Sequence, residues 1–127
     1  MKQVVPGIYQ LKVPIPDNPL GHLNAYLIRG NDGYLLVDVG WNTPESFSAL
    51  EQQLSDLGVG FKDITQIIAT HIHPDHYGLA GRVKQLSGAK LALHQVERDF
   101  IKSRYIEVDY LLQQVAEWLR INGVPED

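Results

Sequence analysis

The chain reads as an α/β protein of the mixed α+β kind, a β-sheet flanked by helices. Three stretches carry that reading. Ile8 to Val39 runs as a β-meander, Ile64 to Leu93 as a strand-helix-strand unit, and the segment between them carries apolar residues at helical spacing. A meander pairs its strands antiparallel and a helical crossover pairs them parallel, so a chain holding both predicts one mixed sheet.

Each element has its own signal. Ile8 to Val13 alternates and stops at Pro14-Ile15-Pro16-Asp17-Asn18-Pro19, a turn no sheet interior tolerates, which predicts an edge-type first strand. Leu23 to Arg29 reads as the second strand, Asn31-Asp32-Gly33 as a hairpin turn and Tyr34 to Val39 as the third strand. Thr43 is placed as a helix N-cap with Pro44 at the first helical position, and Phe47, Leu50, Leu54 and Leu57 follow until Gly58 closes the helix. Ile64 to Ala69 is apolar almost throughout, which predicts a central strand buried on both faces. Pro74 then opens a helix with Leu79, Val83 and Leu86 facing inward, Gly88 ends it, and Lys90 to Leu93 is a fifth strand.

From Gln95 onward the pattern is helical. Tyr110, Leu111, Leu112, Val115, Trp118 and Leu119 form an amphipathic run capped by Gly123, read as a packing helix; an insertion over an active site would have the same pattern. The chain is expected to form a single domain, 1–127, with its core in residues 7–94 and a helical segment at 95–127. Gly123 to Asp127 reads as a cap followed by the start of another helix, so the chain is expected to be the N-terminal portion of something longer.

Composition narrows the class. Of 127 residues 44% are hydrophobic and 20% charged, which excludes disorder as the default, and a net charge of -4 without a basic patch argues against a nucleic-acid surface. The absence of cysteine removes disulfides, thiolate ligands and cysteine nucleophiles together. Pro6 and Gly7 arrive before a signal-peptide apolar region could form, and no run approaches ~18 apolar residues, so a cytoplasmic protein with no membrane partner is expected.

Chemistry concentrates at Thr70-His71-Ile72-His73-Pro74-Asp75-His76, which follows the apolar strand directly. Three of the five histidines and an aspartate fall within six positions. Imidazole nitrogen and carboxylate oxygen suit divalent zinc, iron or manganese alike, and ligands fixed at a strand end lose little entropy on binding. Ligands of α/β units gather beyond the carboxyl ends of the strands, where His71 falls. Of the two other histidines, His94 reads as structural at the end of the fifth strand, and His22 sits in a strand-entry loop.

Taken together, Gly21 to Ile28, Leu35-Leu36-Val37-Asp38-Val39-Gly40 and the H-x-H-x-D-H loop from Thr70 to Gly81 resemble the metallo-β-lactamase superfamily of binuclear metallohydrolases. The resemblance covers residues 7 to about 94. It implies the N-terminal half of an αββα sandwich. It further implies that His71 and His73 hold a first metal with a later histidine, and that Asp75 and His76 hold a second with a later bridging aspartate and another histidine. Asp75 would also act catalytically on the attacking water, and Asp38 would support the motif loop.

The activity so implied is hydrolysis of an ester, thioester or lactone-type bond in a small molecule by metal-bound hydroxide, as in glyoxalase II-like enzymes. One or two Zn2+ ions are the expected cofactor, with iron or manganese as alternatives. The later ligands have no counterpart in this sequence. Weak or single metal binding and little hydrolysis are therefore expected of this chain alone, together with homo-oligomer formation or association with the missing C-terminal half. Two other readings stay open: a non-catalytic, incomplete metal-binding fragment, and a redox member using iron and a flavin domain.

Overall fold

A computed structural model describes residues 1–125. The helix start expected at Glu126 and Asp127 lies outside the described residues. Six strands make one mixed sheet in chain order: β1 (Lys2–Val5), β2 (Ile8–Pro14), β3 (His22–Arg29), β4 (Tyr34–Val37), β5 (Ile64–Ile68) and β6 (Lys90–Ala92). β1 to β4 pair antiparallel, whereas β4, β5 and β6 are parallel, the change falling where helix α1 (Pro44–Asp56) carries the chain across the sheet. The β5–β6 crossover is made by α2 (Pro74–Tyr77) and α3 (Ala80–Ser87).

Alternation decides the covered face. Leu11 lies opposite Ala25, Val13 opposite Leu23 and Leu27 opposite Leu36, and all six are buried with Ile67 of β5. They pack with Phe47, Leu50 and Leu54 of α1 and with Leu79, Ala80 and Val83 of the crossover. Complete burial of one such aliphatic side chain stabilises the fold by about 1.5–3 kcal/mol. The α1 start behaves as its sequence predicts: Thr43 Oγ1 accepts from Ser46 N at 3.1 Å, and the buried Ser46 hydroxyl donates to Pro14 O at 2.8 Å. Past the end of β1, the Gln53 side chain pairs with both backbone groups of Lys12 at 2.9 and 2.8 Å, so the free edge of β2 is satisfied by a helix side chain.

Several expectations are corrected. The strand Ile8–Pro14 is not an edge, because β1 pairs outside it. Lys2–Val5 is short and exposed throughout, and gives no alternation from which to predict a strand. β5 is covered on one face only: Ile64 and Ile67 are buried, whereas Thr65, Gln66 and Ile68 are exposed. The helix expected from Pro74 to Ser87 is two helices, interrupted at Gly78 and Leu79, and Leu86 is 39% exposed instead of facing inward.

The chain divides into two compact units, Met1–His94 and the segment from Gln95 onward. The second unit contains α4 (Gln95–Ile101), a π-helical turn (Lys102–Ile106) and α5 (Val108–Ile121), and none of these elements contributes a buried residue. α5 ends at Asn122 with Gly123 in the left-handed region at φ 80°. Among the described residues no helix is long and apolar enough to cross a membrane.

Candidate metal centre

Parallel pairing of β4 with β5 sets Val37 beside Ile68, so the carboxyl ends of the two strands open side by side. Asp38 follows β4 at once, its backbone N donating to Ile68 O at 2.8 Å and its φ of 59° turning the chain away from the sheet. The motif loop leaves β5 through Ala69 and Thr70 and enters α2, where Pro74 fills the first position and needs no amide partner. Two backbone bonds stitch the segments together, Val39 N to His76 O and Leu79 N to Gly40 O, each 3.0 Å. The approach demands glycine twice. A Cβ at Gly40, φ 100°, would stand 2.5 Å from Val13 Cγ1, and one at Gly78 would stand 2.7 Å from Asn42 N.

The buried Asp38 carboxylate is the hub of the loop. Oδ1 accepts from Thr70 N at 2.8 Å, and Oδ2 accepts from Thr70 Oγ1 and from His76 Nδ1, both at 2.8 Å. Its acceptor positions are thereby used, as a buried carboxylate requires. Thr70 Oγ1 also lies 3.0 Å from His71 Nδ1. The sequence marked Asp38 and the four motif residues; the contribution of the Thr70 hydroxyl has no sequence signal, because it depends on the distance between two strand ends.

The remaining donor atoms fall into two pairs. His71 Nε2 and His73 Nδ1 are 3.1 Å apart, and His76 Nε2 and Asp75 Oδ2 are 3.4 Å apart. Two ligand atoms of a tetrahedral ion with bonds of about 2.0–2.1 Å stand about 3.3 Å from each other. Each pair therefore matches two adjacent ligand positions, and the donor chemistry fits a divalent cation. Among the described residues no group of three or more such side chains stands arranged to hold an ion, so each pair supplies part of a coordination shell.

The rings are closely set. His71 lies 4.6 Å from His73 and 4.0 Å from His76 between ring centroids, edge-on to the first and tilted against the second. Burial first, then the neighbouring His76 and His73, holds the His71 imidazole below its ordinary pKa, which favours the neutral form that can bind a cation. His22 is exposed at the start of β3 and lines a separate cleft with Lys2, Gln10, Lys12 and Asn24. His94 is exposed two residues after β6.

Comparison with known proteins agrees with the fold. Residues 18–125 match the family model described as the Metallo-beta-lactamase superfamily. The chain is 40% identical over 72 residues to a probable metallo-hydrolase of Bacillus subtilis, which is 57% of this chain and 22% of that protein. It is 31% identical over 90 residues to a metal-dependent hydrolase of Pyrococcus horikoshii, which is 71% of this chain and 36% of that one. The crystal structure of a metallo-beta-lactamase family protein from Thermus thermophilus superposes with a TM-score of 0.85 at 37% identity, over 98% of this chain and 41% of the other. The chain thus spans well under half the length of each of these proteins.

Proposed function

The chain belongs to the metallo-beta-lactamase superfamily, and on that premise we propose that it carries the metal-binding loop of a metal-dependent hydrolase. The observation behind this reading is the division of the motif into two donor pairs, 3.1 and 3.4 Å across. His71 Nε2 and His73 Nδ1 would serve one ion, His76 Nε2 and Asp75 Oδ2 a second. Zinc is the ion the donor set suits first, with iron and manganese accepting the same ligands. Such an ion, when bound, acts as a Lewis acid and lowers the pKa of water, which suits attack on an ester, thioester or lactone carbonyl of a small molecule.

The protein's own share of this chemistry is positional. Asp38 holds the His76 ring through Nδ1 and leaves Nε2 bare on the side of Asp75. Asp75 is part-exposed beside that nitrogen and in this reading would accept a proton from a water entering the site. Two ligands per ion leave a shell to be completed by solvent, by a second copy or by residues outside this sequence. Tyr26, Ile28, Leu35, Val37 and Ile68, partly exposed on the sheet face away from α1 and α3, offer an apolar surface for such an association.

A second reading has its own support. Because no three donors converge among the described residues, the isolated chain can instead be an incomplete metal-binding segment without turnover. Equilibrium dialysis against zinc, with His71→Ala/His73→Ala as the control, tests the shared part of both readings. Zinc bound by the wild-type chain and at least tenfold more weakly by the variant is the expected result; equal binding would overturn both. Hydrolysis of a thioester and a lactone by the zinc-loaded chain, abolished by Asp75→Asn, then separates the hydrolase from the inert segment.

A further inference from the structure

We propose that Thr70 is a positioning residue which, through its hydroxyl, transmits the Asp38 charge to His71 and fixes that ring as the Nδ1–H tautomer. The inference rests on the proposed metal reading for its purpose but not for its geometry. Thr70 Oγ1 has a single proton; Asp38 Oδ2 lies at 2.8 Å, His71 Nδ1 at 3.0 Å and, farther off, His76 Nδ1 at 3.4 Å, the last already directed to Asp38 Oδ2 at 2.8 Å. An ionised carboxylate can only accept. The hydroxyl proton therefore goes to Asp38, and the oxygen can meet His71 Nδ1 only by accepting. The proton of the neutral His71 ring is then on Nδ1, and Nε2 carries the bare lone pair.

The same logic acts directly on His76, whose Nδ1 meets Asp38 Oδ2 at 2.8 Å. One buried carboxylate thus sets two imidazoles, one by contact and one through a relay. His71 Nε2 faces His73 Nδ1 at 3.1 Å, the position proposed above for an ion. The alternative tautomer would point an N–H at that position and repel any cation there. Thr70 N also donates to Asp38 Oδ1 at 2.8 Å, so the residue is held by its backbone whatever its side chain, and substitution of the hydroxyl tests the relay more than the fold.

The test compares wild type, Thr70→Val and Thr70→Ser in the full 127-residue chain. Valine keeps the shape and removes the oxygen, whereas serine keeps the oxygen. Long-range 1H–15N correlation of the metal-free protein at pH 8 reads the tautomer of His71 without reference to activity. The expected result is Nδ1–H in wild type and Thr70→Ser, and a mixture or the Nε2–H form in Thr70→Val. Zinc affinity, read by competition with a chromogenic chelator, should fall by about 10- to 100-fold in Thr70→Val and be restored by serine. His71 as Nε2–H in wild type, or as Nδ1–H in Thr70→Val, overturns the proposal. Should wild type show Nδ1–H yet bind no zinc, the metal reading fails while the relay stands.

Discussion

The two units of this chain are stabilised by different means. Every buried hydrophobic side chain among the described residues lies between Leu11 and Ala89, in the sheet, the helices that cover it and the loops that join them. In the second unit α5 is as apolar as any helix of the first, yet Tyr110, Leu112, Trp118 and Ile121 are 59% to 72% exposed. Local polar contacts within that unit pair Lys102 with Glu107 at 2.8 Å, Arg120 with Glu117 at 2.7 Å, and Gln114 with Tyr110 at 2.7 Å. An amphipathic pattern therefore predicts a helix but not a core. Helix formation is decided within a few turns, and burial requires a second surface.

Hydrogen exchange offers the widest test of this contrast. Amides of β3 and β4 should exchange only through global unfolding, and those of α5 orders of magnitude faster, through local opening. Equal protection of the two sets would mean that α5 is as firmly held as the sheet. Next in size are core truncations. Leu36→Ala, in a fully buried position, should cost about 2–5 kcal/mol in urea unfolding, whereas Leu112→Ala should stay within about 0.5 kcal/mol. A large effect of Leu112→Ala would break the comparison.

Within the first unit, Asp38→Ala removes the acceptor of Thr70 N, Thr70 Oγ1 and His76 Nδ1. Stranding such groups costs about 1–3 kcal/mol, and zinc affinity should fall with stability. Loss of stability with unchanged zinc binding would limit Asp38 to a structural role. The smallest effect is expected at the α1 cap, where Thr43→Ala should cost about 1 kcal/mol and Thr43→Ser very little, by the same unfolding measurement.

Much of the fold was legible in the chain. The strands β2 to β6, the Thr43–Pro44 helix start, the hairpin at Asn31–Gly33 and the glycine stops at Gly58 and Gly88 each rest on φ/ψ preference or short-range periodicity, which neighbouring residues settle. What periodicity could not supply was the second surface. The run Ile64–Ala69, apolar but for Thr65 and Gln66, suggests burial on both faces, but only Ile64, Ile67 and Ala69 are buried. β1 was missed because four exposed residues have no pattern, and its pairing with β2 comes from the turn at Gly7, φ 83°.

By itself, then, the sequence determined the order of elements, their caps and the crowding of three imidazoles and a carboxylate into one loop, because these depend on residues a few positions apart. Only the tertiary structure decided how those donors pair, which face of the sheet is covered, and that Asp38, 32 positions before Thr70, reaches His71 through a threonine hydroxyl. Such relations depend on parallel strand ends lying side by side, and that proximity comes from packing remote segments into one sheet.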